Sequence, residues 1–159
     1  MEREEAERLV ERHGPAVYRL AFARTGNRAD AEDVTQETFL RLVRAAPVFQ
    51  SAAHEKAWLL RVAARCSSDL FRAPWRRRER PLDEAAGLTA PPSEEPDGRV
   101  LEAVRALPEK YRLAVHLFYY EGYSISEAAA ILGRRESTVR AQLCRARAML
   151  RDRLEEEPI

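Results

Sequence analysis

Cysteine is scarce in this sequence: 159 residues hold two, Cys66 and Cys144. Neither sits in a Cys-x-x-Cys pair or beside a histidine cluster, so neither a disulfide framework nor a zinc site is expected. Both read as small, semi-buried side chains. Glycine is also rare, at six residues, and the wealth of Arg, Glu, Ala and Leu favours helix. No apolar run approaches the ~20 residues a membrane span needs. The opening MEREEAERLVER has no apolar stretch of the kind a secretory signal carries, so a cytoplasmic location is expected. What remains is 45% hydrophobic and 33% charged, the composition of a soluble globular chain long enough to bury a core.

The net charge of +1 hides an uneven distribution. Residues 51–80 carry eight basic against three acidic side chains, 81–98 carry five acidic and no basic ones, and 99–154 carry eleven basic against six acidic. Two basic blocks around an acidic one suggest two separate contacts with a polyanion. The acidic block overlaps Ala73 to Gly98, which holds Pro74, Pro81, Pro91, Pro92 and Pro96 and lacks helical periodicity. It is too long for an ordinary connection and reads as a partly disordered linker. An all-α chain of two small helical domains is therefore expected, 1–73 and 99–155, joined by the linker 74–98.

In the first domain, Leu9, Val10, Val17 and Leu20 predict a helix over 3–23, with Pro15 as a break or kink. Asn27 caps a second helix to about Ala46, with Val34, Phe39, Leu42 and Val43 expected on its buried side. A third helix is predicted from His54 to Arg72, with Leu59, Val62, Ala63, Cys66 and Leu70 as its apolar stripe and Arg61, Arg65, Ser68 and Arg72 on another face. In the second domain, helices are predicted over 99–106 and 109–121, the latter burying some of Tyr111, Ala114, Val115, Phe118 and Tyr119. Ser124 and Glu127 then form a capping box, Gly133 a left-handed stop, and a last helix over 136–154 buries Val139, Leu143, Ala146 and Leu150. A short helix, a tight glycine turn and a longer basic helix make a helix-turn-helix.

The second helix of that motif enters the major groove of DNA. Its outward arc here is Ser137, Arg140, Ala141, Cys144 and Arg145. Arg140 and Arg145 are expected to read bases or backbone, and Arg134, Arg135, Arg147 and Arg151 to contact phosphates. The alternative is a solvated arginine-rich helix. The block FRAPWRRRER interleaves Phe71 and Trp75 with Arg72, Arg76, Arg77, Arg78 and Arg80, a pattern that suits stacking on unpaired bases, or else the two aromatics cap the core. The acidic stretch DAEDVTQETF leaves three readings open: a metal site on Asp30, Asp33 and Glu37, a solvated face with a Glu37–Arg41 pair, or a docking surface for a basic partner.

DAEDVTQETFLRLVRA, KAWLLRVAARCSSDLFR and LPEKYRLAVHLFYYEGYSISEAAAILGRRESTVRAQLCRARAML together resemble the extracytoplasmic-function (ECF) group of bacterial sigma factors. The resemblance covers nearly the whole chain outside the linker. It implies a region 2 domain and a region 4 domain. Asp33, Gln36 and Glu37 match the motif that docks on the β′ clamp helices of RNA polymerase, with the β flap as a second polymerase contact. The loop 49–55 with Trp58, Arg61, Arg65, Phe71, Arg72, Trp75, Arg76 and Arg77 matches the part that captures and melts the −10 promoter element. Arg134, Arg135, Ser137, Thr138, Arg140, Ala141, Cys144, Arg145 and Arg147 match the part that reads the −35 element.

The linker is implied to thread toward the polymerase active-site cleft, its acidic Glu94, Glu95 and Asp97 mimicking nucleic acid. Two departures stand out: the family often has Asn at the position of Arg65, and Arg135 replaces the usual capping residue before the reading helix. The expected function is promoter-specific transcription initiation with core polymerase and promoter DNA, an anti-sigma factor as regulator, no cofactor, no metal and no catalytic residue. The rivals are a stand-alone DNA regulator, a helical metalloenzyme and an interaction adaptor with merely solubilising basic faces.

Overall fold

In a computed structural model, which describes residues 1–72 and 98–156, every regular element is helical. The chain divides into two compact units, Met1–Ala90 and Pro91–Ile159. Among the described residues no helix is long and apolar enough to cross a membrane.

The N-terminal unit packs three helices against one another: α1 (Arg3–Thr25), α2 (Arg28–Ala45) and α3 (Ala52–Arg72). Helix α1 runs through Pro15 without a break. A proline removes one helical hydrogen bond, yet Leu9, Ala16, Val17, Leu20 and Ala21 on the same helix are all buried, and this packing carries the helix across it. Gly26, at φ 75°, turns the chain, and its N–H closes on the Phe22 carbonyl. Asn27 then caps α2: its Oδ1 accepts from the Asp30 backbone N–H at 2.8 Å, while its Nδ2 donates to the Asp30 carboxylate at 2.9 Å. Helix α3 begins at Ala52, two residues before the predicted start, because the Ser51 hydroxyl accepts the His54 backbone N–H.

Leu20, Leu42, Leu59, Leu60, Val17 and Val34 fill the core. Its polar members, Thr38 and Ser67, are fully buried and donate to the carbonyls of Val34 and Ala63 on their own helices. Two residues expected in this core are not there. Val10 and Val43 are 43% and 44% exposed, since α1 and α2 turn narrower faces inward than the apolar pattern suggested.

Helix α2 ends on Ala46 in the left-handed region (φ 44°, ψ 54°), the one non-glycine residue at positive φ among the described residues. The side chain there is opposed by roughly 1–2 kcal/mol of steric strain. Ala46→Gly is expected to raise stability by about 0.5–1 kcal/mol after the glycine's greater unfolded-state freedom is subtracted. Urea unfolding checks it, and a lower midpoint would refute the strain.

The C-terminal unit contains α4 (Gly98–Arg105), α5 (Glu109–Val115), a π-helical turn (His116–Tyr120), α6 (Ile125–Leu132) and α7 (Glu136–Glu156). The single helix expected over 109–121 is thus interrupted. The Glu121 N–H reaches back five residues to the His116 carbonyl, and the extra residue leaves Tyr119 and Tyr120 exposed while His116 and Leu117 are buried. The capping box is complete, with Ser124 Oγ accepting from the Glu127 N–H and the Glu127 carboxylate accepting from the Ser124 N–H, each at 3.0 Å. Gly133 ends α6 at φ 66°. Helix α7 buries Val139, Leu143 and Ala146 fully and Leu150 in part.

Candidate protein and nucleic-acid interfaces

The acidic stretch does not form one exposed face. Asp30 is buried in the cap of α2, which removes it from the trio proposed for a metal. Asp33, Gln36 and Glu37 do come together, along an open groove between α2 and α3 whose walls also include Leu40, Arg41 and Asp69. Glu37 Oε1 accepts from Arg41 Nε at 3.2 Å and lies 3.8 Å from Arg44, and Arg41 reaches Asp69 on α3 at 3.6 Å. The groove is therefore lined with charge on a lattice of ion pairs, with Leu40 standing 43% exposed among them. Cys66 lies at its base, where burial pushes the thiol pKa up and keeps it neutral. The sequence pattern missed Leu40, whose exposure depends on how α2 is rotated.

At the start of α3, Phe49, His54 and Trp58 cluster edge to face, with Phe49 5.2 Å from the His54 ring and 5.8 Å from the Trp58 ring. Trp58 is half-buried by this cluster, and Arg61 and Arg65 are exposed further along the helix. Phe71 and Arg72 end α3, but their side chains, like all of Trp75, Arg76 and Arg77, lie outside the described residues.

A feature with no sequence signal holds this region to α1. The Glu55 carboxylate meets the buried His13 ring at 3.0 Å and Arg12 Nη1 at 3.0 Å, across more than 40 residues of chain. The His13 hydrogen bond, with help from Arg12, holds the Glu55 carboxyl below the usual glutamate range. A depressed carboxylate pKa stabilises the fold above its unfolded value and loses that contribution as pH falls through the folded value. Between about pH 5 and 3 the wild type is thus expected to lose thermal stability more steeply than Glu55→Gln. Thermal scans across that range decide, and parallel curves would show the contact to be idle.

In the C-terminal unit, Arg135, Ser137, Thr138, Arg140, Ala141, Cys144, Arg145 and Arg147 are all exposed on α7 or the turn before it. Arg134 is placed differently. It is half-buried, and its Nη1 donates to the Lys110 carbonyl at 3.0 Å and to Gln142 Oε1 at 2.9 Å, tying the turn to α5 and α7.

Residues 9–77 match Sigma-70 region 2 and residues 97–150 match Sigma-70 region 4. EcfG of Rhodopseudomonas palustris, an ECF RNA polymerase sigma factor, is 32% identical over 86% of this chain and 77% of its own. The chain belongs to the ECF sigma factors. SigE of Mycolicibacterium smegmatis, of the same family, is 38% identical over 92% of this sigma factor, which spans 60% of the length of SigE. Among solved structures, CnrH in complex with the cytosolic domain of CnrY superposes with a TM-score of 0.70 at 28% identity, covering 99% of this chain and 92% of CnrH. Region 2 of this sigma factor holds the α2–α3 groove and region 4 holds the helix-turn-helix.

Proposed function

We propose that this chain binds core RNA polymerase and directs it to promoters, with the groove of Asp33, Gln36 and Glu37 docking on the β′ clamp helices and region 4 meeting the β flap. The cluster of Phe49, Trp58, Arg61 and Arg65 opens and holds the −10 element, a role shared by Phe71, Arg72, Trp75, Arg76 and Arg77, and the outward arc of α7 reads the −35 element. Domains are drawn at 1–73 and 99–155, as the sequence suggests. The observation that carries this reading is the pairing of two chemically opposite surfaces on two separately cored units: an ion-paired groove with an exposed leucine on one, and an arginine-lined helix-turn-helix on the other. A stand-alone DNA regulator would leave the first surface without a role. The work is expected to take place in the cytoplasm, with the polymerase. An anti-sigma factor belongs to the reading too, as the family resemblance implies.

The test is transcription in vitro with purified core polymerase on promoters randomised over the upstream element. Wild-type protein is expected to select a defined sequence. Arg140→Ala is expected to lose about 1–3 kcal/mol of discrimination at one or two positions while transcription from others continues. Absence of any selection by the folded wild type would overturn the reading, and an unchanged profile would remove Arg140 from the interface.

A further inference from the structure

A second element of the C-terminal unit, α5, lies against α7. Lys110 and Tyr111, in the first turn of α5, share a shallow hollow with Ser137, Ala141 and Arg145 of α7. The Tyr111 ring is buried, at 4% exposure, and it lines this hollow beside Arg145. Lys110 Nζ stands 5.1 Å from the centroid of the same ring. These two cations pull the Tyr111 pKa below the ordinary tyrosine value, the hydrogen bond from Arg145 being the larger cause. Behind the hollow, Arg134 closes the frame by donating to the Lys110 carbonyl and to Gln142.

An exposed arginine samples many rotamers, and it reads a base edge well only when its planar fork is held in the plane of the base. A buried aromatic ring has few torsions and is fixed by its packing, so its oxygen is a stationary acceptor. Beside Arg145 it can accept from part of the guanidinium and leave other donors for a partner. Among the described residues Arg140 has no aromatic hydroxyl beside it in this hollow, and it stands exposed on the outward arc.

We propose that Tyr111 is a positioning residue for Arg145, so that α5, outside the helix-turn-helix itself, sets part of the sequence preference of the DNA-reading surface. The proposal rests on the sigma-factor reading above. It makes Arg145 a pre-aimed reader and Arg140 an adaptable one.

The experiment uses full-length wild type, Tyr111→Phe, Arg145→Ala, Arg140→Ala and the Tyr111→Phe/Arg145→Ala double variant, each assembled with core polymerase. Each is assayed on promoters randomised over the upstream element, with the transcripts sequenced. Tyr111→Phe keeps the ring and removes only the hydroxyl. It is expected to flatten base preference at the positions that Arg145→Ala flattens, by about three- to tenfold, and to leave the positions dependent on Arg140 as they were. In the double variant it is expected to add nothing to the loss caused by Arg145→Ala. Losses that add in the double variant, or a Tyr111→Phe profile identical to the wild type, would overturn the proposal.

If Arg145→Ala itself changes nothing, the proposal falls while the wild type's own preference keeps the sigma-factor reading standing. If the wild type shows no preference, both fall. A measurement on the unmodified protein guards against a misfolded variant: side-chain 15N relaxation is expected to show a higher order parameter at Arg145 Nε than at Arg140 Nε, and equal values would overturn the proposal.

Discussion

Asp33→Lys combined with Glu37→Lys is expected to abolish association with core RNA polymerase while leaving the N-terminal unit folded. Both residues line the α2–α3 groove, and neither belongs to the buried side of α2, which is made by Ala31, Val34, Thr38 and Leu42. The ion pairs of Glu37 with Arg41 and Arg44 are partly exposed, so their loss should change stability by no more than about 1 kcal/mol. A basic partner meeting two new cations is a different matter, because like charges juxtaposed across an interface oppose binding by several kcal/mol. Co-purification with core polymerase and a thermal scan of the same sample separate the two effects. A folded variant that binds as tightly as wild type would show that the groove is not the grip. Glu37→Gln, which removes the ion pairs without reversing charge, is expected to bind with an intermediate affinity.

Leu143→Ala is expected to unfold the C-terminal unit outright. Leu143 is fully buried on α7, and truncating such a leucine is destabilising by about 2–5 kcal/mol. The unit, Pro91–Ile159, is smaller than the roughly 70–80 residues below which one core rarely supplies more than about 3–5 kcal/mol. The two magnitudes are comparable, so one leucine decides whether the helix-turn-helix exists. Circular dichroism should show the helical signal of this unit lost at 37 °C, with the N-terminal transition retained. In the transcription assay, selection of an upstream sequence should vanish while polymerase association through α2 persists. A variant that melts as the wild type does would mean that the core is far better buttressed than its size implies.

Much of this architecture was legible in the sequence because it is written locally. Asn27 before α2, Ser124 with Glu127, and Gly133 after α6 each act within four residues, and each does in the structure what its spacing predicted. The stripe of Val139, Leu143 and Ala146 was equally plain. What failed depended on contacts distant in sequence. Pro15 did not break α1, because packing outweighs one missing hydrogen bond. Val10 and Val43 fit an apolar stripe but face outward, because how far a helix is rotated is settled by its neighbours. The π-helical turn at His116 has no local signature at all.

The candidate sites divide in the same way. The spacing of Asp33, Gln36 and Glu37 predicted a shared face. Their partners Arg41, Arg44 and Asp69 were only partly foreseen, since Asp69 arrives from another helix. The placing of Asp30 in the cap rather than on the acidic face follows from the Asn27 side chain, and could have been suspected from it.

The anchoring of Arg134 bears on timing. Its bonds to the Lys110 carbonyl and Gln142 already immobilise the turn before any duplex arrives, so for the DNA contact proposed above little remains to be ordered on arrival. Encounter would then be governed by charge and diffusion, and the stiffness of the turn would express itself in how long the complex lasts, as a slow departure rather than a fast approach.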